Sequence, residues 1–193
     1  EWNLVFLDEK NLKEYVDLDL TDPKISRLGM VQCSDLIRLE LLSKYGGCWV
    51  DSTCFCTQPL DKWLDESTQT GFFAFSNPGR DRLISNWFLA ADQNSIITTN
   101  LFKELLNYFT ENEYRNVYET LPMKFLKKLL CRTTKTTKIW FNPLFTKALK
   151  LYPYYCFHYL FTEIVNRDRE CRNIWQNMPK FDADRCHILL KYV

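Results

Sequence analysis

The sequence predicts an α/β domain, an open twisted sheet flanked by helices, with a more helical carboxyl-terminal half. Three observations carry that expectation. Short apolar runs at residues 2–7, 48–50 and 71–75 suit strands and alternate with stretches of helical spacing. Residues 34–53 read as a helix, a glycine stop, a buried strand and a carboxylate, the layout of a ligand site at a strand's carboxyl end. An apolar share of 46% against 25% charged residues, over 193 residues, is enough for one domain with a sizeable core.

Taken in order, residues 2–7 form an apolar run expected to be a strand buried on both faces. Residues 8–16 turn into a short helix with Leu12, Tyr15 and Val16 inward, and 17–32 are loop-like. Ser34 is the expected N-cap of the next helix and Asp35 lies in its first turn, where a negative charge suits the helix dipole. Leu36, Ile37, Leu39, Leu41 and Leu42 give that helix a broad apolar face, and Gly46-Gly47 ends it. Cys48-Trp49-Val50 is then a buried strand that runs out at Asp51. Cys54-Phe55-Cys56 alternates like a strand, and Pro59 breaks it. Residues 71–75 are a further strand, closed by the turn signal Asn77-Pro78-Gly79. Residues 81–91 read as a helix with Leu83, Ile84, Trp87 and Phe88 inward, and 96–109 as a second helix. The apolar end, Ile188-Leu189-Leu190, is a last strand or helix. One domain is expected over 1–193, with an α/β part at 1–120 and a basic-aromatic, helical part with a closing segment at 121–193.

Net charge is +1, so no global field attracts nucleic acid. Eight cysteines at irregular spacing fit reduced, structural thiols better than a disulfide framework. No run of eighteen apolar residues occurs. With two histidines, a Ser-His-Asp or Cys-His nucleophile is a weak prospect, and His158, set among aromatics, reads as a core residue. From 121 to 162 there is no acidic residue, while eight Lys and Arg are interleaved with aromatics. That stretch is a solvated basic face, a patch for anionic lipid headgroups or a phosphorylated acceptor, or a nucleic-acid contact, the last opposed by the nearly neutral charge of the whole domain.

Asp35 and Arg38, three apart on one helix, share a face. They form either a surface ion pair or a clamp dividing a sugar's hydroxyls, the acid accepting and the guanidinium donating. Asp51 adds a carboxylate at the end of the adjacent strand. A diphosphate leaving group also needs neutralising, by a divalent cation on carboxylates or by Lys and Arg.

The pattern Ser34-Asp35-x-x-Arg38, the apolar helix and Tyr45-Gly46-Gly47-x-x-Val50-Asp51 resembles the signature of Asp-x-Asp glycosyltransferases of the GT-A fold. Among these it is most similar to the capsular polysaccharide synthesis protein family, beside the Och1-like mannosyltransferases and the clostridial glucosylating toxins. Residues 85–91 and the region from His158-Tyr159 to Trp175 also resemble that family. The resemblance implies that Asp35 and Arg38 hold the donor sugar's hydroxyls. Asp51 would be the first aspartate of the motif, contacting donor ribose or sugar and organising the metal. Thr53 stands where the second aspartate, the direct metal ligand, is usual. His187, three residues after Asp182-Ala183-Asp184, corresponds to a group in the segment that closes over the diphosphate. Asp51, Thr53 and His187 are thus the expected metal set, for Mn²⁺ or Mg²⁺, and the first strand of such a domain is expected to be missing.

The resulting expectation is transfer of a hexosyl unit, with retention, from a nucleotide sugar, UDP-linked by preference. The acceptor is a growing polysaccharide or a lipid-linked glycan. The alternative is an inactive relative of the fold that binds glycan or membrane. The expected location is the cytoplasm, peripheral on the inner face of the membrane through 121–162, with no nucleic-acid partner.

Overall fold

The computed structural model describes residues 2–113 and 121–191, without side chains for 121–124, 127 and 188–191. Its elements are α1 (Leu12–Tyr15), α2 (Pro23–Ser26), α3 (Met30–Tyr45), β1 (Gly47–Val50), α4 (Leu64–Ser67), β2 (Phe72–Gly79), β3 (Arg82–Ala91), α5 (Ile96–Glu111), α6 (Leu121–Leu130), α7 (Cys156–Arg167) and α8 (Arg169–Asn177). Short 3₁₀ turns at Leu60–Lys62 and Thr137–Phe141, a π turn at Leu144–Ala148 and a closing 3₁₀ segment at Ala183–Lys191 complete the described chain.

The fold is mixed α/β. Among the described residues its sheet is small, open and antiparallel, with three strands in the order β1-β3-β2. β3 is central because it pairs on one edge with β1, Gly47 opposite Ala91 through Val50 opposite Phe88, and on the other with β2. Alternation along β2 sends its aromatics to two faces. Phe72 stacks on Phe161 of α7, at 5.9 Å between centroids. Phe73 and Phe75 turn the other way, into a cluster with Trp63, Phe88 and Phe181. One face of the sheet is therefore covered by helix, the other by aromatic loops and the carboxyl-terminal segment. α3 and α7 pack on β3, and α5 packs against both helices. Around Trp140 a smaller core gathers Leu130, Phe145, Leu151 and Tyr159.

Several expectations hold. α5 lies where the periodicity puts it, with Ile97, Leu101, Leu105 and Tyr108 buried. Gly46 ends α3 at φ +69°, and a Cβ there would lie 2.6 Å from the Gln93 nitrogen, so only glycine fits. All eight cysteines are free.

Others are corrected. Residues 2–7 form no strand: Leu4 and Phe6 are exposed, and none of the described strands pairs with their backbone. α3 begins at Met30 behind an extended Gly29, four residues before the expected cap, so Ser34 lies inside it. Residues 81–91 contain a strand instead of a helix. Leu83, Ile84, Trp87 and Phe88 fit a 3.6-residue period, but the run of Leu89, Ala90 and Ala91 is buried along with Phe88 between two flanking strands. β2 also runs through the expected turn to Gly79, with Asn77 left-handed at φ 57°. β1 is an edge strand with Val50 exposed, instead of a buried one. Cys54-Phe55-Cys56 is a loop. The apolar end, by contrast, keeps one of its two expected forms, as a 3₁₀ helix.

Candidate functional site

α3 buries three different surfaces, which is why its pattern looks broad. Leu36, Leu39 and Leu42 enter the main core. Glu40 accepts the backbone N–H groups of Asp17 and Leu18, tying the amino-terminal segment down, and burial raises its carboxyl above the usual range. Asp35 and Arg38 take the third surface, toward β3 and the end of β1.

Arg38 is almost wholly buried. Its Nε donates to the Ser34 carbonyl at 3.1 Å, its Nη2 to Ser34 Oγ at 2.8 Å, and its Nη1 to the Asn86 carbonyl. The same guanidinium lies between two carboxylates: Nε is 3.4 Å from Asp35 Oδ1, and Nη1 is 3.5 Å from Asp51 Oδ1. Its flat face covers the Trp49 ring at 5.1 Å. Asp51 N–H donates to the Trp87 carbonyl at 2.9 Å, one bond beyond the β1 ladder, so the sheet itself fixes where this carboxylate starts. Trp49 Nε1 donates to Asp51 Oδ1 at 2.6 Å, while about a third (32%) of the Asp51 side chain remains open to solvent.

Asp35 is 6% exposed, and its Oδ1 accepts from Asn86 Nδ2 at 2.8 Å. Burial pushes its carboxyl up to about 6, against the opposing pull of Arg38 and Asn86 and with help from the Asp51 charge. One guanidinium thus serves two carboxylates, and the ionised cluster carries a surplus negative charge. It suits hydroxyl groups that donate, and it repels phosphate.

His187 and the preceding residues reach the same region from the far end of the chain. Ser76 N–H donates to the Phe181 carbonyl at 2.7 Å, and Ser76 bridges to Asp182, laying this segment along β2. His187 meets Trp87 edge-on at 5.9 Å, and Trp87 stacks on Phe75 at 4.8 Å. Between segment and sheet lies a cleft of about 330 Å³ lined by Phe75, Lys180, Phe181, Asp182, Arg185 and Cys186. Asp35, Arg38 and Asp51 therefore come together directly. His187 meets Trp87, whose carbonyl receives the Asp51 N–H, and Thr53 is exposed in the loop after β1.

Among the described residues no three His, Cys, Asp or Glu side chains converge as metal ligands. Mg²⁺ commonly binds through one or two carboxylates together with substrate phosphates, and the part-exposed Asp51 with the exposed Thr53 hydroxyl fits that sparse mode. Asp182 Oδ1 caps the closing segment by accepting from Asp184 N–H.

A second polar cluster lies at the β2–β3 turn. Tyr159 donates its hydroxyl to the buried Asp81, and the Arg82 guanidinium covers the Tyr155 ring at 4.0 Å. Burial raises the Tyr159 hydroxyl, and its bond to Asp81 adds to this. His158 is buried with Nδ1 unpartnered. Desolvation, then the Arg82 and Arg38 charges, lower it to about 3, so it is a neutral core histidine.

Sequence reasoning did not assign site roles to Ser34, Trp49 and Asn86. The first was taken as a cap. Asn86 was hidden by reading its segment as a helix; its signal is a lone amide inside the apolar run from Leu83 to Ala91.

These features define a mixed α/β protein with a buried acid–guanidinium–acid cluster at the end of an edge strand. The capsular polysaccharide synthesis protein family matches residues 1–142, and the chain belongs to that family. Membership points to a role in capsule synthesis. No curated protein and no solved structure matches the chain.

Proposed function

We propose that the chain is a GT-A-like glycosyltransferase that moves a hexosyl unit from a nucleotide sugar, UDP-linked by preference, to a growing polysaccharide or lipid-linked glycan. The observation that carries the reading is Arg38 held between Asp35 and Asp51. When ionised, Asp35 accepts a hydroxyl of the donor sugar and Arg38 donates to another, two charge-assisted bonds that orient the ring. Asp51, at the solvent-open end of the cluster, faces the ribose and diphosphate. Because the cluster is net negative, the departing diphosphate needs cations from outside it. Lys180 and Arg185 of the cleft supply two, and Phe75 and Phe181 offer apolar surface to the base. Mn²⁺ or Mg²⁺ held on Asp51, with the Thr53 hydroxyl and substrate phosphates, would add charge neutralisation there. No described carboxylate is assigned as a general base, in keeping with transfer that retains anomeric configuration.

The exposed, neutral Thr53 favours a second reading, a chain that binds donor or glycan without turnover. Donor hydrolysis across UDP- and GDP-sugars, with and without Mn²⁺ and Mg²⁺, separates the two. Turnover that falls about 10- to 100-fold in Asp51→Asn, with the melting temperature nearly unchanged, supports the enzyme. A donor-induced thermal shift without turnover supports the second reading, and absence of both refutes the site.

A further inference from the structure

We propose that α6 and the turns after it form a surface that binds anionic lipid bilayers. The inference rests on this surface alone and stands whether or not the chain transfers sugar. Residues 121–162 carry eight Lys and Arg and no Asp or Glu. The structure shows what that composition is used for. Leu126 and Leu130 of α6 point into the small core around Trp140. Phe125 and Leu129, four residues apart and so on one face of the helix, are 72% and 47% exposed. Lys128 is exposed beside them. A phenyl ring and a leucine held in water next to lysines form the composition of an interfacial helix, apolar groups for the acyl boundary and cations for headgroups.

The surrounding surface continues the pattern. Arg132, Lys135 and Lys138 are exposed without an ion pair among the described residues, Lys147 donates to the Glu111 carbonyl, and Lys150 pairs with Glu113. Ile139, Leu144 and Leu149 add exposed apolar side chains in the same stretch of sequence. The choice of occupant follows from charge and apolarity together. Nucleic acid would use the cations and leave the aliphatic Leu129 and Leu144 in water. An anionic membrane uses both kinds of group. The α6 helix, at Leu121–Leu130, is too short to cross a bilayer, and no described helix is long and apolar enough to do so. The contact is therefore peripheral.

Flotation of the full chain with vesicles tests this. Binding is expected to phosphatidylcholine mixed with phosphatidylglycerol, not to phosphatidylcholine alone, and to fade at high salt. Lys128→Glu and Lys135→Glu should each weaken it at least fivefold or so, the worth of one cation near an anionic surface. The pair Phe125→Ser and Leu129→Ser should weaken it further while melting temperature and circular dichroism stay unchanged, since both side chains are exposed. No binding to the anionic vesicles overturns the proposal. So does binding that the apolar pair does not affect, or a stronger, equally insensitive preference for an oligonucleotide.

Discussion

Replacing Asp35 with Asn exchanges a titrating carboxyl for a neutral group of the same shape. In the folded chain burial holds this carboxyl near 6, against an ordinary 3.8. Between those values the fold keeps a proton that the unfolded chain has released. The stability it contributes is therefore fully present below about pH 4 and is lost as pH climbs through 6. One proton of difference amounts to about 1.4 kcal/mol per pH unit, or about 3 kcal/mol across the window. His158 has the opposite slope. The unfolded chain takes up its proton near 6.5, while the buried ring resists until about 3, so its contribution is lost as pH falls through the same interval. In the native protein the two slopes oppose each other between about pH 4 and 6. Asp35→Asn leaves His158 alone. Urea unfolding at half-unit steps should show the variant gaining on the native chain by about 1.4 kcal/mol per pH unit, up to about 3. Any difference between the amide and the protonated carboxyl is independent of pH and shifts the curves without altering the slope. Donor turnover in the native chain should rise through about pH 6 as Asp35 ionises, and the variant should lack this inflection. Stability curves that run parallel would refute the buried, protonated carboxyl and with it the pH dependence of the clamp.

Arg38→Ala strands Asp35 without its counter-charge and should cost about 3–5 kcal/mol by denaturant unfolding. Arg38→Lys keeps the charge, yet one ammonium cannot reach Ser34 O, Ser34 Oγ and the Asn86 carbonyl together, so the loss should be about 1–3 kcal/mol. Phe73→Ala, at a fully buried ring surrounded by Trp63, Phe75, Phe88 and Phe181, should cost about 3–5 kcal/mol by the same measurement.

What could be read in the residues divides by range. Local rules held for the span of α5, the Gly46 stop and the short strand before Asp51, which follow from periodicity and backbone freedom, and failed for the Ser34 cap, which lies inside α3. Where pairing across the sheet decides, the reading failed. Residues 81–91 carry a helical spacing of apolar groups, but two strands were ready to flank them, and tertiary packing overrode the pattern. Residues 2–7 have the composition of a strand, yet none of the described strands pairs with them. The site shows the same division. Asp35, Arg38 and Asp51 were visible because they lie within seventeen residues of one another. Asn86, forty-eight residues beyond Arg38, enters only through the β1–β3 register.

That register has a consequence for how the chain becomes competent. A product shortened before residue 86 would contain both aspartates, the arginine and the glycine stop, every mark by which the motif is recognised. It would still lack the oxygen that receives Nη1 and the amide that steadies Asp35. During synthesis, α3 and β1 emerge first, with the guanidinium held only from Ser34 of its own helix, until β3 adds to the sheet. In the full chain, Asn86→Ala should therefore weaken donor binding although Asp35, Arg38 and Asp51 are all still present, because the motif supplies the groups and β3 sets their positions.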